Sequence, residues 1–267
     1  ISDVPVGCLL SGGLDSSLVT ALVAKMFKEN GKTLHTFSIG LKGGEDLKYA
    51  QMVADHIGSE HHSVEVSETE MLDSIPRVID MIESYDTTTV RASTPMLLLC
   101  EYIKENTDIT VVYSGEGSDE ASGSYLYFHN APDDTSFRSE TIRLLKDLHY
   151  FDVLRCDKSI SGAGLEARVP FLDKDFLDFY MAIPARYKRP HDGMEKYLLR
   201  KSFDLDNLLP DQVLWRKKEG FSDGCSSKSK SWYQIIQEHV SKELSFLNAE
   251  EYNNLMESFE YNPPQLQ

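Results

Sequence analysis

Ser11-Gly12-Gly13-Leu14-Asp15-Ser16-Ser17-Leu18 stands between an apolar run of strand length, residues 4–10, and a segment whose Leu14, Leu18, Ala21, Leu22 and Met26 recur at helical spacing. A strand that ends in paired glycines and passes straight into a helix has the chemistry of an anion-binding turn. The glycines let the backbone close around a ligand, the serines add hydroxyl donors, and the first helical turn offers unpaired N–H groups with a partial positive charge. Gly-Lys-Ser/Thr does not follow and Gly-x-Gly-x-x-Gly is absent, so this is neither a Walker loop nor a dinucleotide fingerprint. Asp15 would repel a bare anion. Its place is explained by a Mg²⁺ ion that arrives with a nucleotide, which points to ATP or its pyrophosphate. A plain turn capped by Ser11 or Asp15 is the simpler alternative; serines on both sides, the strand before and the helix after favour the anion loop.

Outward from this loop, strand and helix signals alternate. Residues 34–40 and Glu60–Val66 read as strands, residues 46–57 and Glu68–Ile82 as helices, a further helix follows Pro95 to near Asn106, and residues 109–113 form another β-rich run. Such alternation predicts an α/β fold with a doubly wound, mainly parallel sheet flanked by helices, whose ligands bind beyond the carboxyl ends of the strands. Strand signals fade from Phe137 onward. A nucleotide-binding part at about 1–130 and a helical extension at about 131–267 are therefore expected.

A second loop, Ser114-Gly115-Glu116-Gly117-Ser118-Asp119-Glu120, repeats the mixture of glycine, serine and acid at a strand end. Asp15 and Asp119 are the candidates for one shared Mg²⁺, which commonly takes one or two protein carboxylates. Glu116, between two glycines, is a candidate general base or a group that orients an attacking amine. Arg168 and Lys218 are candidates to neutralise charge on a departing pyrophosphate. The alternatives are an ion pair of Arg168 with Glu166 or Asp173, and a solvated basic turn around Lys218. His56, His61 and His62 are close in sequence, yet no Cys or further His completes a zinc pattern, so they read as surface or helix-end residues. Ser11 has no hydrolase-type partner, since Gly-x-Ser-x-Gly is absent.

Composition narrows the partners. Lys plus Arg number 27 against 43 Asp plus Glu, a net charge of -16, which opposes nucleic-acid and anionic-membrane surfaces. A small anionic substrate then needs cations gathered locally. Four cysteines without close pairing favour a reducing, cytoplasmic or nuclear setting, and neither a long apolar span nor a leader segment is evident. The chain opens on Ile1 with a strand almost at once, and is expected to be part of a longer protein.

The first loop resembles that of the ATP pyrophosphatase (PP-loop) enzymes. Together with Thr88-Thr89-Val90-Arg91-Ala92-Ser93-Thr94-Pro95-Met96, the second loop from Tyr113, Tyr125-Leu126-Tyr127-Phe128-His129, residues 166–173 and Phe221-Ser222-Asp223-Gly224, it is similar to the synthetase domain of the glutamine-hydrolysing asparagine synthetase family. The resemblance implies an adenine nucleotide alpha-hydrolase-like fold and a ligase that turns aspartate into β-aspartyl-AMP at the expense of Mg·ATP, after which ammonia displaces AMP. It assigns Leu10, Ile39, Ser114 and Gly115 to the nucleotide, and Ser11, Gly13, Asp15 and Ser16 to pyrophosphate. It assigns Glu116 to the acyl-adenylate, Asp15 and Asp119 to Mg²⁺, Arg168 and Lys218 to charge stabilisation, and the loop containing Arg91 to the aspartate side. It also implies an N-terminal glutaminase domain in the full-length protein, expected to be absent from this chain, and leaves a homodimer open. One departure is Ala121-Ser122-Gly123-Ser124-Tyr125, where the family ends its loop in Phe-Gly-Gly-Tyr. A β-lactam synthetase-like or other acyl-adenylate-forming amidotransferase, and a non-catalytic nucleotide-binding scaffold, are the alternatives.

Overall fold

Five parallel strands form the centre of the computed structural model, which describes residues 2–150, 152–204, 207–218, 225–226, 230–245 and 248–258. They are β1 (Val6–Leu9), β2 (His35–Leu41), β3 (Glu60–Val66), β4 (Val111–Tyr113) and β5 (Glu166–Arg168), in the spatial order β3-β2-β1-β4-β5. All four pairings are parallel. The order runs one way from β1 to β3 and the other way from β1 through β4, so the sheet is doubly wound and its switch point lies between β1 and β4. That is where ligands of such sheets bind, and both glycine loops leave the sheet there.

Burial on both faces explains the apolar strands. Leu9 and Leu10 point to opposite sides, as neighbours on a strand must. Leu9 packs with Phe37, Ile39 and Val112 under helices α4 (Thr87–Asn106) and α7 (Asp152–Gly162). Leu10 packs with Leu14, Leu18, Ala50 and Val53 under α1 (Leu14–Glu29) and α2 (Glu45–Ile57). All four cysteines are buried outside any disulfide, and burial pushes the Cys8 thiol up to about 12.

Two expectations change. The helix placed after Pro95 begins eight residues earlier, at Thr87, where Asp86 caps it by accepting from the Thr89 amide at 2.8 Å. Pro95 has no N–H to give the carbonyl of Arg91 one turn back, a gap that ordinarily breaks a helix. The indole Nε1 of Trp232, from the helix Trp232–Leu244, donates to that carbonyl at 3.0 Å instead. The second change concerns the region from 131 onward, which is not helical throughout: β5 extends the sheet beyond β4, with Val111 opposite Glu166 and Tyr113 opposite Arg168. Three residues are too few for periodicity to reveal a strand. Among the described residues no helix is long and apolar enough to cross a membrane.

Candidate active site

A cavity of about 550 Å³ opens at the switch point. β1, β2 and α4 give it apolar lining through Leu9, Leu10, Phe37, Ile39, Met96 and Leu99. Its polar lining comes mainly from the two glycine loops, α7 and residues 195–218, with Asp46 of α2 and Thr88 and Arg91 of α4.

The first loop folds upon itself. The Ser11 and Ser16 hydroxyls lie 2.9 Å apart, the Ser11 amide donates to Ser16 Oγ at 3.2 Å, and the Gly13 amide donates to Ser11 Oγ at 3.3 Å. Gly12 takes φ +77° and lies against α2 so closely that a Cβ would meet the Ala50 nitrogen at 2.6 Å. Only glycine meets both demands.

The second loop starts where the Ser114 amide donates to the Arg168 carbonyl at 2.8 Å. A Cβ on Gly115 would come within 2.5 Å of the Ser16 nitrogen, so the two loops meet backbone to backbone. Ser118 Oγ crosses between them and donates to Asp15 Oδ1 at 2.8 Å.

Lys196 completes the joint. Its ammonium, buried with the side chain 2% exposed, donates to Asp15 Oδ2 and to Asp119 Oδ1, both at 2.6 Å. Lys218 Nζ lies 2.7 Å from the same Asp119 oxygen and 4.3 Å from the centre of the Tyr125 ring. Burial works to raise the Asp119 carboxyl, but the two ammoniums overcome it and hold the group well below the usual carboxylate range. Burial likewise disfavours the charged form of Lys196, and the two carboxylates outweigh it and raise its pKa. Lys196 itself has φ +56°, a left-handed conformation costly for a lysine, which the packed joint maintains.

Glu116 occupies a different environment. Both of its oxygens accept from Arg155 Nη2 at 3.0 Å, and Arg155 also meets Asp152 at 3.3 Å. Burial pushes the Glu116 carboxyl up to about 7; Arg155 pulls it down, while Asp152 and Glu120 push it further up. One cavity thus holds a carboxylate locked in its ionised form at Asp119 and another whose proton is exchangeable near neutrality.

Leu10, Ser11, Gly13, Asp15, Ser16, Ile39, Ser114, Gly115, Glu116, Asp119 and Lys218 all line this cavity, as does Arg91, which belongs to α4 and not to a loop. Arg168 does not line it. Its side chain, 47% exposed, pairs with Glu166, its same-face neighbour two residues along β5, and this corrects the expectation that it faces the reacting groups. Lys196 and Arg155 were not among the expected residues. The signal that could have found them was electrostatic: carboxylates gathered in a dry cleft require cations, and Arg155 stands one helical turn from Asp152. The Phe221-Ser222-Asp223-Gly224 motif lies outside the described residues.

Asp15 and Asp119 already place one oxygen each at 2.6 Å from a single cationic nitrogen. Two convergent carboxylates with nearby hydroxyls are a hard-oxygen donor set, and they fit Mg²⁺.

Comparison with known proteins yields a consistent set of relatives. A family model described as asparagine synthase matches residues 1–143 and 130–260. The chain is 49% identical over 261 residues to "Asparagine synthetase [glutamine-hydrolyzing]" of Gallus gallus, covering 97% of this chain and 46% of that protein. Against the proteins of the same description from Rattus norvegicus and Homo sapiens it is 47% identical over 267 residues and 46% identical over 266, covering 99% of this chain and 47% of each relative. The chain therefore spans about half the length of the curated relatives it matches.

Proposed function

The chain belongs to the asparagine synthase family, and from that premise we propose that its cavity makes asparagine from aspartate, ammonia and ATP through a β-aspartyl-AMP intermediate. The observation that carries this reading is the joint at the switch point, where Lys196 ties Asp15 of one glycine loop to Asp119 of the other.

In the first step an aspartate β-carboxylate oxygen attacks the α-phosphorus of ATP, and the bond from that phosphorus to pyrophosphate breaks. Ser11, Gly13 and Ser16 hold the departing pyrophosphate at the start of α1, while backbone groups at Leu10, Ile39, Ser114 and Gly115 hold the nucleotide. Lys196 and Lys218 offset the negative charge that accumulates on the leaving oxygens. Asp15 and Asp119 would hold Mg²⁺, which supplies further charge neutralisation at the phosphates. In the second step the ammonia nitrogen attacks the β-carbonyl carbon. Glu116 takes a proton from that nitrogen, and AMP leaves as the C–N bond is completed. A carboxyl that titrates near 7 suits this task, because a useful base is partly free at working pH and still strong enough to accept the proton. Arg155 orients it, and the Arg91 side of the cavity takes the aspartate.

The full-length protein would draw ammonia from a glutaminase domain. The test is pyrophosphate release and asparagine formation by this chain with aspartate, comparing ammonium with glutamine as donor and other amino diacids with aspartate as acceptor. Activity with ammonium and aspartate alone is expected. Equal rates with glutamine would contradict the assignment of glutamine hydrolysis to another domain, and no aspartate-dependent pyrophosphate release would remove the reaction itself.

A further inference from the structure

A second constellation stands at the opposite end of the sheet. β2 and β3 pair in parallel with His35 opposite Glu60 and Phe37 opposite His62. Residues 60 and 62 share a face by the two-residue repeat of a strand, and pairing brings His35 to the same face. His61, between them, points the other way, where Thr36 Oγ1 meets its Nδ1 at 2.9 Å and Ser38 Oγ its Nε2 at 3.0 Å. A histidine invisible to local spacing thus joins the pair: His35 lies twenty-five residues before Glu60, and only strand pairing unites them.

From this juxtaposition we propose that His35, Glu60 and His62 form a binding site for a borderline transition-metal dication, Zn²⁺ in kind, that ties edge strand β3 to β2. His35 Nδ1 lies 3.3 Å from His62 Nε2, and Glu60 Oε1 lies 3.7 Å from the first nitrogen and 3.9 Å from the second. Tetrahedral Zn²⁺ with bonds of about 2.0–2.2 Å separates its ligand atoms by roughly 3.3–3.6 Å, so the triangle needs only small rotamer shifts to close on the ion. Two imidazoles and a carboxylate suit Zn²⁺ better than Mg²⁺ or Ca²⁺. Glu60 is exposed, leaving the fourth position to water. Phe37 stacks on the His62 ring at 4.7 Å and 18°, which limits how that ring can turn. None of the three ligands lines the cavity at the switch point, so the site is separate from the proposed chemistry.

Co²⁺ titration of the metal-free chain, followed by competition with Zn²⁺, decides the matter. One equivalent is expected to bind with the intense visible bands of a tetrahedral ion, to be displaced by Zn²⁺, and to raise the melting temperature. Losing a ligand in His35→Ala or His62→Ala should weaken Zn²⁺ binding by about 100-fold or more, given that even outer partners of a metal site are worth 10- to 100-fold. Glu60→Gln, at an exposed position that the fold tolerates, should also abolish the tetrahedral spectrum. Asp15→Asn should leave this binding intact, which separates it from cations held in the cavity. Should His62→Ala fail to fold by circular dichroism, His35→Ala and Glu60→Gln decide alone. Absence of a tetrahedral spectrum in the unaltered chain, or retention of its affinity in these two variants, overturns the proposal.

Discussion

The two walls of the cavity are held by different kinds of bond. The first loop is tied within itself, through Ser11, Gly13 and Ser16, over five residues of chain. The facing wall is tied at long range: Lys196 reaches Asp15 across 181 positions and Asp119 across 77, and Arg155 reaches Glu116 across 39. The turn of the first wall is closed by local sequence, with Gly12 and Asp15 then gripped from outside by Arg216 and Lys196, while the second wall exists only once the chain has folded. A locally closed loop keeps its shape when a distant residue changes. A wall made of ion pairs loses its partners together.

The largest effect should come from Lys196→Ala, which leaves two carboxylates facing each other with one of their cations gone. Loss of a preorganised charge of this sort costs about 10²–10³-fold in rate, and stripping one partner from a buried ion pair costs about 3 kcal/mol of stability. Steady-state asparagine formation and denaturant unfolding measure the two; a loss of rate with no loss of stability would mean that Lys196 serves the substrate and not the joint.

Next comes Glu116→Gln. It should lower asparagine formation by about 10²-fold, the low end of the range for a positioned base and without the loss of stability expected of Lys196→Ala, while aspartate-dependent exchange of pyrophosphate into ATP continues. The pH profile carries the sign. Glu116 acts when deprotonated and titrates near 7, so at a fixed concentration of free ammonia the rate of the unaltered chain should climb with pH through about 7 and then level, a limb the variant lacks. By the same shift, the folded state holds this proton more tightly than the unfolded one. Its contribution to stability is thus full below the ordinary carboxylate value and is lost as pH rises through about 7.

Gly115→Ala tests the contact where the local and long-range walls touch. The added methyl would sit 2.5 Å from the Ser16 nitrogen, in backbone that has no flexible end to yield, and should cost about 1–3 kcal/mol with a raised KM for ATP. Thermal unfolding and initial rates would report it, and an unchanged KM would mean that the loops separate without consequence. The smallest effect belongs to Arg168→Ala. An exposed pair on a three-residue strand contributes about 0–1 kcal/mol, so the melting curve should scarcely move and the rate should fall far less than in Lys196→Ala. A loss of rate equal to that of Lys196→Ala would return Arg168 to the chemistry.

The same contrast governs what the sequence discloses. Four strands, the first three helices and both loops were legible because each announces itself within a dozen residues, by apolar period or by glycine and serine. The missed features are pairwise and distant. Lys196, between Glu195 and Tyr197, belongs to no motif that local spacing reveals, and only the fold shows that its ammonium is buried between two acids. Pro95 suggested a helix boundary, and nothing local could show that an indole 137 residues later would satisfy the carbonyl that proline leaves open. Arg168 misled in the opposite direction: its motif was conspicuous, but strand alternation turns the side chain toward Glu166.

The charged residues that line the cavity, seven carboxylates and seven Lys or Arg, sum to zero formal charge, in a chain whose total is -16. A phosphate group therefore meets no attraction at a distance. Its approach is opposed by the far field of the chain, and the lysines act on it only after they trade carboxylate for phosphate at contact range. Added salt shortens the reach of that repulsion, to about 8–10 Å at ordinary ionic strength, while hardly touching the buried exchange. Nucleotide capture by this chain should thus quicken as ionic strength rises from very low values, the reverse of the salt dependence of a site that draws its anion in by long-range steering.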